Sequence, residues 1–322
     1  FLCYNKNKIY CKTKKTKNYI FILYFHYLYF KKFDTMRVES KRGILMKIEN
    51  VIKKFKDEDI YLCPKCLKQS NIQNISLVCE NNHQYDFSKK GYIHLINNYK
   101  ATKYSMELFE ARSVIFKGEF YKEVFLELGK LVEKYSKDVL IDAGCGEGYY
   151  IRQLKEIFPE KYFFGLDNSK AAIELAVKDD KLNPYMLANI EPLPFQDNSV
   201  SCILNILTPA NYHEFFRVLG EEGYLIKIIP NTDYLREIRE LMGVREYKNT
   251  ETVNLIKENC TIIERVRVNK TYELDEYLAE NFLKMTPLTF SKDVSKEDIK
   301  KLKKITIDLE ILVCKKYNGH FY

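Results

Sequence analysis

Three cysteines and one histidine stand at a spacing that suits a metal ion. Cys63, Cys66, Cys79 and His83 form the pattern C-x2-C-x12-C-x3-H. Two close pairs of soft ligands, separated by enough chain to fold back, can complete a tetrahedral zinc site. Because four protein ligands leave no position for a water or a substrate, we expect this zinc ion to be structural.

A run of glycines preceded by an acid points to a second kind of chemistry. Asp142, Gly144, Gly146 and Gly148 alternate with other residues at the end of a short apolar segment. Closely spaced glycines at a strand-to-helix turn let backbone amides approach a ligand that side chains would exclude. The segment therefore predicts a turn that binds a small ligand.

Asp167 ends the next apolar segment, where a carboxylate can accept hydrogen bonds from both hydroxyls of a ribose. An ordinary helix cap is the alternative role for this residue. A dinucleotide-binding turn has the spacing G-x-G-x-x-G, whereas this chain has G-x-G-x-G after an acid. That arrangement is typical of methyltransferases, so S-adenosylmethionine is the expected cofactor. The other residues expected around it are Tyr149, Tyr150, Ala188 and Asn189, the last pair at the adenine edge.

The elements around these motifs alternate between strand and helix after residue 138. This alternation predicts a mostly parallel sheet covered by helices on both faces. Thr261–Val268 and Lys304–Lys315 alternate apolar and polar residues, which suits an antiparallel pair at one sheet edge. The periodicity of 104–135 predicts two helices with a break at Gly118. The expected organisation is a leader at 1–45, a zinc module at 46–98, a helical connector at 99–137 and a catalytic domain at 138–322.

The formal charge of +8 is concentrated at the N-terminus. Residues 1–45 carry eleven Lys and Arg against two acids, and the remainder carries 41 basic and 42 acidic residues. The body is nearly neutral, so the overall charge is no argument for a nucleic-acid partner. Six further cysteines are scattered without a framework, which favours a reducing cytoplasm.

The first 45 residues differ in composition from the rest of the chain. A Lys-rich stretch leads into an apolar and aromatic run over 19–30, which is too short to span a bilayer. We expect this segment to be dispensable and Met46 to be the natural start. Met36 is a second candidate start, and a membrane-associating leader is the alternative. No membrane partner is expected for the body.

Further motifs lie on both sides of the glycine run. In the module they are Cys63-Pro64-x-Cys66, Cys79-x3-His83-Gln84-Tyr85-Asp86 and Lys90-Gly91-Tyr92. In the rest they are Ala111-Arg112, Gly118-x-Phe120-Tyr121, Asp142 to Tyr150, Gly165-Leu166-Asp167-x-Ser169-Lys170, Leu193-Pro194-Phe195 and Lys284-Met285-Thr286-Pro287. With these motifs the chain resembles the bacterial large-subunit ribosomal RNA guanine-N1-methyltransferases over roughly residues 60 to 320. The implied fold is α/β: a Rossmann-like methyltransferase with a mostly parallel seven-stranded sheet and an N-terminal zinc ribbon.

The resemblance implies methyl transfer from S-adenosylmethionine to N1 of one guanine in a hairpin of 23S ribosomal RNA. Lys89 and Lys90 lie in the body's one stretch of interleaved basic and aromatic residues and are expected to contact RNA. The resemblance adds Arg112 to that set. Tyr85 and Phe87, from the same stretch, are expected to pack the small core of the ribbon. A homodimer is left open.

Methyl transfer to N1 of guanine requires loss of a proton, because N1 of neutral guanine carries one. A positioned base or cation contributes about 10²- to 10⁴-fold to such a step. Glu147, Tyr150 and Asn205 are candidates by location alone, so the catalytic residue stays unassigned. The alternatives are a small-molecule methyltransferase, which has no evident use for a zinc ribbon, and a non-catalytic zinc-dependent RNA-binding protein, which would not need the glycine turn.

Overall fold

The computed structural model describes residues 48–55, 59–244, 247–290 and 293–317. The predicted leader at 1–45 and the start at Met46 lie outside the described residues. The described chain opens with helix α1 (Ile48–Ile52), which buries Val51.

A four-stranded antiparallel sheet carries the Cys and His residues. Its strands are β1 (Tyr61–Leu62), β2 (Gln69–Gln73), β3 (Ser76–Cys79) and β4 (Gln84–Asp86), paired in that order. The turn between β2 and β3 contains Asn74 at φ 53°, a left-handed conformation that asparagine tolerates better than most residues. Leu77, Tyr85 and Phe87 are buried, so the two aromatic residues pack the core of this module as predicted.

An eight-stranded sheet forms the larger layer of the fold. Its strands are β5 (Ile93–His94), β6 (Val139–Ala143), β7 (Tyr162–Asp167), β8 (Tyr185–Leu187), β9 (Val200–Ile206), β10 (Leu219–Pro230), β11 (Cys260–Glu273) and β12 (Lys304–Lys316). The spatial order is β11-β12-β10-β9-β6-β7-β8-β5. Strands β5 to β10 are parallel, whereas β12 runs antiparallel to both β10 and β11. The Rossmann-like sheet and its antiparallel edge pair are confirmed, and β5 extends the seven predicted strands by one.

The chain leaves the middle of this sheet in two directions. After β6 it continues through β7 and β8 on one side, and later through β9 and β10 on the other. The loops that follow β6 and β9 therefore diverge, which opens a crevice at the carboxyl ends of the strands. The glycine turn, Asp167 and the segment after Asn205 all lie at that edge.

Helices cover both faces of the sheet. They are α2 (Met106–Lys117), α3 (Lys122–Tyr135), α4 (Tyr149–Ile157), α5 (Lys170–Asp179), α6 (Tyr212–Val218), α7 (Arg236–Met242), α8 (Thr250–Asn259), α9 (Glu276–Lys284) and α10 (Lys296–Lys301). Ser105, Ser169 and Asp275 begin α2, α5 and α9 by accepting a hydrogen bond from the third amide of each helix. The predicted break at Gly118 separates α2 from α3. Among the described residues, no helix is long and apolar enough to cross a membrane.

The module and the large sheet share one apolar core. The rings of Tyr61 and Phe164 lie 6.3 Å apart, and those of Phe164 and Phe195 lie 5.2 Å apart. Backbone hydrogen bonds join the two parts as well, from Leu62 N to Pro194 O at 3.1 Å and from Leu95 N to Leu187 O at 2.9 Å. The reason is physical: a four-stranded ribbon of this size buries too little apolar surface by itself.

Candidate functional site

The four predicted metal ligands converge at one end of the module. Their ligand atoms all lie within 4.8 Å of one another. Cys66 Sγ and Cys79 Sγ are 3.7 Å apart, and His83 Nδ1 lies 3.4 Å from Cys79 Sγ and 3.5 Å from Cys63 Sγ. Tetrahedral zinc with ordinary bond lengths separates two sulfur ligands by about 3.8 Å and a sulfur from a nitrogen by about 3.6 Å. The donor set and its spacing therefore fit zinc.

Two tight turns bring the ligand pairs together. Leu67, at φ 57°, follows the first pair, and its amide donates to Cys63 O at 2.8 Å. Asn82, at φ 58°, precedes His83, and its amide donates to Cys79 O at 2.8 Å. The His83 amide then lies 3.3 Å from Cys79 Sγ and donates to it, as amides do around zinc-bound thiolates. These turns bring the two members of each pair close enough to bind the same ion.

The glycine turn closes against neighbouring side chains. Gly144 has φ +90°, and a Cβ there would lie 2.6 Å from the Thr208 side chain. Gly148 has φ +72°, and a Cβ there would collide with the hydroxyl of Tyr185. At Gly146, by contrast, an added Cβ would meet nothing nearer than the Phe109 ring at 3.7 Å. The middle of the turn is thus the part that leaves room for a ligand.

Buried acids without hydrogen bonds surround this turn. Asp142 is 1% exposed and Glu147 is 3% exposed, and within the described part of the chain no hydrogen bond reaches either carboxylate. Burial raises the pKa of Asp142 to about 8, and the negative charge of Asp167 adds to the rise. A buried carboxylate without a hydrogen bond lowers the stability of the fold unless a ligand satisfies it.

One cation faces these acids. Arg112 Nε lies 3.6 Å from Glu147 Oε2, and the guanidinium carbon is 3.9 Å from the Cβ position of Gly146. The cleft therefore combines three carboxylates, from Asp142, Glu147 and Asp167, with one guanidinium. S-adenosylmethionine carries a sulfonium and an ammonium against a single carboxylate. The charges of the cleft and the cofactor are complementary, so the residues present fit this group.

Asp167 anchors the turn to the next strand. Its Oδ2 accepts from Gly146 N at 2.9 Å and its Oδ1 accepts from Ser169 N at 2.7 Å. Ser169 itself provides the cap of α5, so Asp167 is not that helix's cap residue. Each carboxylate oxygen can accept more than one hydrogen bond, and Asp167 is half-buried, so the predicted ribose contact stays open to it.

The remaining predicted cofactor residues differ in their surroundings. Tyr149 is buried, and its ring stacks on Phe116 of α2 at 4.2 Å. Tyr150 is also buried, and in the described chain its hydroxyl has no hydrogen bond. Ala188 is buried and its amide donates to Asp167 O at 3.0 Å, whereas Asn189 is exposed. Their contacts with a cofactor stay predictions.

A buried lysine that the sequence does not single out holds the segment after β9. Lys227 is 4% exposed and donates to Asn205 Oδ1, and also to Thr208 O at 3.1 Å. Asn205 Nδ2 donates to Ala143 O at 3.0 Å and to Pro209 O at 3.1 Å. Since both amide atoms of Asn205 are engaged, this residue is not free to act as the base. Burial lowers the pKa of Lys227 to about 8.

The residues predicted to contact RNA lie in two different places. Lys89 and Lys90 are exposed, and Lys90 Nζ pairs with Glu174 at 2.7 Å across the boundary between the module and α5. Arg112 instead faces the glycine turn within the cofactor cleft. The structure therefore does not bring all three cations to one surface.

Comparisons with known proteins find matches for both the zinc module and the domain that carries the glycine turn. Residues 141–226 match the family model described as "Methyltransferase domain", and residues 61–101 match the one described as "RlmA, N-terminal". A Bacillus subtilis (strain 168) protein named "Putative 23S rRNA (guanine-N(1)-)-methyltransferase YxjB" is 32% identical over 280 residues, covering 81% of this chain and 99% of the relative.

A second relative comes from Streptomyces fradiae and is named "23S rRNA (guanine(748)-N(1))-methyltransferase". It is 23% identical over 267 residues, covering 79% of this chain and 95% of the relative. The site geometry had already indicated a zinc module joined to an S-adenosylmethionine-dependent methyltransferase. By its match to relatives over nearly their whole length, the chain belongs to the 23S rRNA (guanine-N1)-methyltransferase family.

Proposed function

We propose that this enzyme transfers a methyl group from S-adenosylmethionine to N1 of one guanine in a hairpin of 23S ribosomal RNA. The observation that carries the proposal is the pairing, in one chain, of a Cys3His cluster with an acid-lined cleft at a glycine turn. The relative that aligns over 99% of its own length is named a "putative 23S rRNA (guanine-N(1)-)-methyltransferase". A small-molecule methyltransferase would have no use for a module that contacts RNA.

The glycine turn and its acids would hold the cofactor. Asp167 would accept hydrogen bonds from the ribose hydroxyls, while Asp142 and Glu147 would face the positive charges. Ala188 and Asn189 lie where the adenine edge is expected. When bound, S-adenosylmethionine supplies an electrophilic methyl group on its sulfur.

We infer that Arg112 has a role in the cleft, which differs from the RNA contact predicted from sequence. Its guanidinium lies beside Glu147 and the open middle of the glycine turn, not among the exposed lysines. A guanidinium binds a carboxylate in a two-point geometry. We therefore assign Arg112 to the carboxylate of the cofactor in place of an RNA phosphate.

The groups that would act on the acceptor guanine are fewer than the sequence suggests. Asn205 is engaged on both amide atoms. Burial raises the pKa of Tyr150 well above its usual range, so this phenol stays protonated and acts as a donor. A phenol donor can stabilise charge on O6 of guanine when the N1 proton leaves. No residue is assigned as the base.

Zinc would be held by Cys63, Cys66, Cys79 and His83, and would stabilise the module without taking part in methyl transfer. The exposed Lys89 and Lys90 would contact RNA phosphates next to it. A ribosomal RNA substrate is found in the cytoplasm, where the scattered free cysteines would also stay reduced. A homodimer stays a prediction that no contact of the described chain supports or opposes.

The test uses the purified full chain, unmodified 23S ribosomal RNA and S-adenosylmethionine labelled in its methyl group. Digestion of the RNA to nucleosides is expected to release labelled 1-methylguanosine. The control variant is Gly144→Val, whose side chain would be driven into Thr208 and disturb the turn. Label in another nucleoside, or in no RNA at all, contradicts the proposed reaction.

A further inference from the structure

Two large aromatic side chains lie exposed next to each other at the surface. Tyr104, just before α2, is 43% exposed, and Phe290, just after the 3-10 turn Pro287–Thr289, is 49% exposed. Their ring centroids are 6.1 Å apart, with an angle of 54° between the ring planes. The two residues come from distant parts of the chain. The two rings lie side by side but are not covered, so they leave apolar surface that a ligand could bury.

These rings continue inward to the cofactor cleft. The Tyr104 ring lies 6.3 Å from the ring of Phe109, which is 3% exposed. Phe109 in turn lies 3.7 Å from the Cβ position of Gly146, and the Arg112 guanidinium lies 6.0 Å from the Phe109 ring centroid. An aromatic path therefore runs from Phe290 at the surface to the middle of the glycine turn.

We propose that Tyr104 and Phe290 form a stacking platform for an unpaired base of the RNA substrate. This inference rests on the proposed function and names how the substrate is received. N1 lies on the pairing edge of guanine, so a base-paired guanine hides the acceptor atom. The RNA must present unpaired bases, and each base taken from its stack needs a new surface. Exposed aromatic rings supply such a surface for any base.

One charged side chain near the platform, that of Lys284, is already paired within the protein. Lys284 Nζ lies 3.3 Å from Glu107 and 2.8 Å from Glu280. This lysine is therefore not free to neutralise an RNA phosphate. Because the two rings carry no charge, the platform is expected to bind base faces and not phosphates. Its contribution should depend little on salt, because phosphate neutralisation is the source of salt dependence.

The test compares ring-removing and ring-retaining variants of the full chain, using unmodified 23S ribosomal RNA as the probe in a filter-retention assay. Tyr104→Leu and Phe290→Leu are each expected to weaken RNA binding between about fivefold and about 150-fold. Tyr104→Phe and Phe290→Tyr keep a ring and should bind as the wild type does. Tyr317→Leu is the matched control, because Tyr317 is 50% exposed just past the end of β12 that pairs with the start of β11, away from the cleft.

Two further readouts separate stacking from other roles. The slope of log affinity against log salt should be the same in the leucine variants and the wild type. Cofactor affinity, measured by calorimetry, should also be unchanged. Leucine variants that bind RNA like the wild type overturn the platform, as does a changed salt slope. A dimer that the leucine variants dissociate would overturn it too, because the rings would then be covered by a second copy.

Failure of the platform and failure of the proposed function give different results. Labelled 1-methylguanosine made by the wild type tests the function, and RNA affinity of the leucine variants tests the platform. A wild type that methylates guanine normally, together with leucine variants of normal RNA affinity, overturns the platform alone.

Discussion

The metal centre and the cofactor cleft differ in how their polar side chains are arranged. At the metal centre, four ligand atoms lie within 4.8 Å of one another and the backbone turns fix them there. In the cleft, the carboxylates of Asp142 and Glu147 are buried, and in the described chain neither receives a hydrogen bond. The first site is complete once it holds an ion. The second leaves buried carboxylates that a positively charged ligand would satisfy.

The two sites are also physically joined. Strand β1 of the module is hydrogen-bonded to the segment 194–196, which follows the predicted adenine edge at Asn189. Strand β5 lies against β8, whose end leads to Ala188. Any change that unfolds the module is therefore expected to reach the cofactor cleft.

The largest expected effect, measured as free energy of folding of the module, comes from removing the metal. Structural zinc contributes about 10–16 kcal/mol of apparent binding free energy to small zinc modules at pH 7. Cys66→Ala is expected to release zinc and unfold the module. Because two backbone hydrogen bonds to 194–196 are then lost, each worth about 1 kcal/mol, cofactor affinity should fall by at least about tenfold.

Metal content by absorption spectroscopy and cofactor titration by calorimetry measure this effect. Cys202→Ala is the matched control, because Cys202 is buried in β9 away from the cluster. Full cofactor affinity in a metal-free Cys66→Ala protein would mean that the two sites are independent.

The next largest effect is expected at Asp167. Asp167→Ala removes the acceptor for the ribose hydroxyls, and two charge-assisted hydrogen bonds are worth about 1.5–3 kcal/mol each. Affinity for S-adenosylmethionine should fall by about 10²-fold or more, and less in Asp167→Asn. Ser169→Ala serves as the control, since it removes the cap of α5 and costs about 1 kcal/mol of stability only. Unaltered binding in Asp167→Ala would remove the ribose assignment.

Lys227 is expected to matter for the rate and less for binding. Lys227→Met removes the donor to Asn205 and Thr208 and frees the turn that holds Leu207 at φ 53°. Because small misplacements at a reacting centre cost up to about 10²-fold, we expect kcat to fall by about 10- to 100-fold with little change in cofactor affinity. Lys315→Met, in the neighbouring strand β12, is the control. Steady-state kinetics that show a normal kcat would exclude a positioning role.

The smallest effect, taken over a single pH unit, is a dependence of cofactor affinity on pH. The pKa of Asp142 is raised from 3.8 to about 8, so the folded protein without cofactor keeps this proton between those values while the unfolded chain loses it. Stability without cofactor should fall as pH rises through that window. Binding a cation favours the ionised acid and releases the proton, so affinity should rise toward pH 8, by at most about tenfold per pH unit. Calorimetry in buffers of different ionisation enthalpy detects the proton, and Asp142→Asn should abolish the slope.

The sequence predicted the parts of the molecule whose chemistry is local. The zinc ligands and the glycine turn each lie within a short stretch, so their spacing, together with the strand and helix expected around the turn, predicted what they would bind. The antiparallel edge pair and the break at Gly118 followed from periodicity and are confirmed.

Other features depend on contacts between distant segments and could not be predicted in the same way. Lys227 carries no motif, and only the pairing of β10 with β9 places it beside Asn205. Arg112 was expected at an RNA surface, but the packing of α2 turns it toward Glu147. Tyr104 and Phe290 meet only because the segment after α9 folds back toward α2.

The most direct test of the central claim is reverse transcription of 23S ribosomal RNA from cells that lack this gene and carry it again on a plasmid. A methyl group on N1 blocks base pairing and stops the polymerase. The wild-type gene is expected to restore one stop at a guanine, whereas Cys66→Ala and Asp167→Ala should not restore it, because methyl transfer needs both the folded module and the bound cofactor. A stop restored by both variants, or no stop with the wild-type gene, would contradict the account.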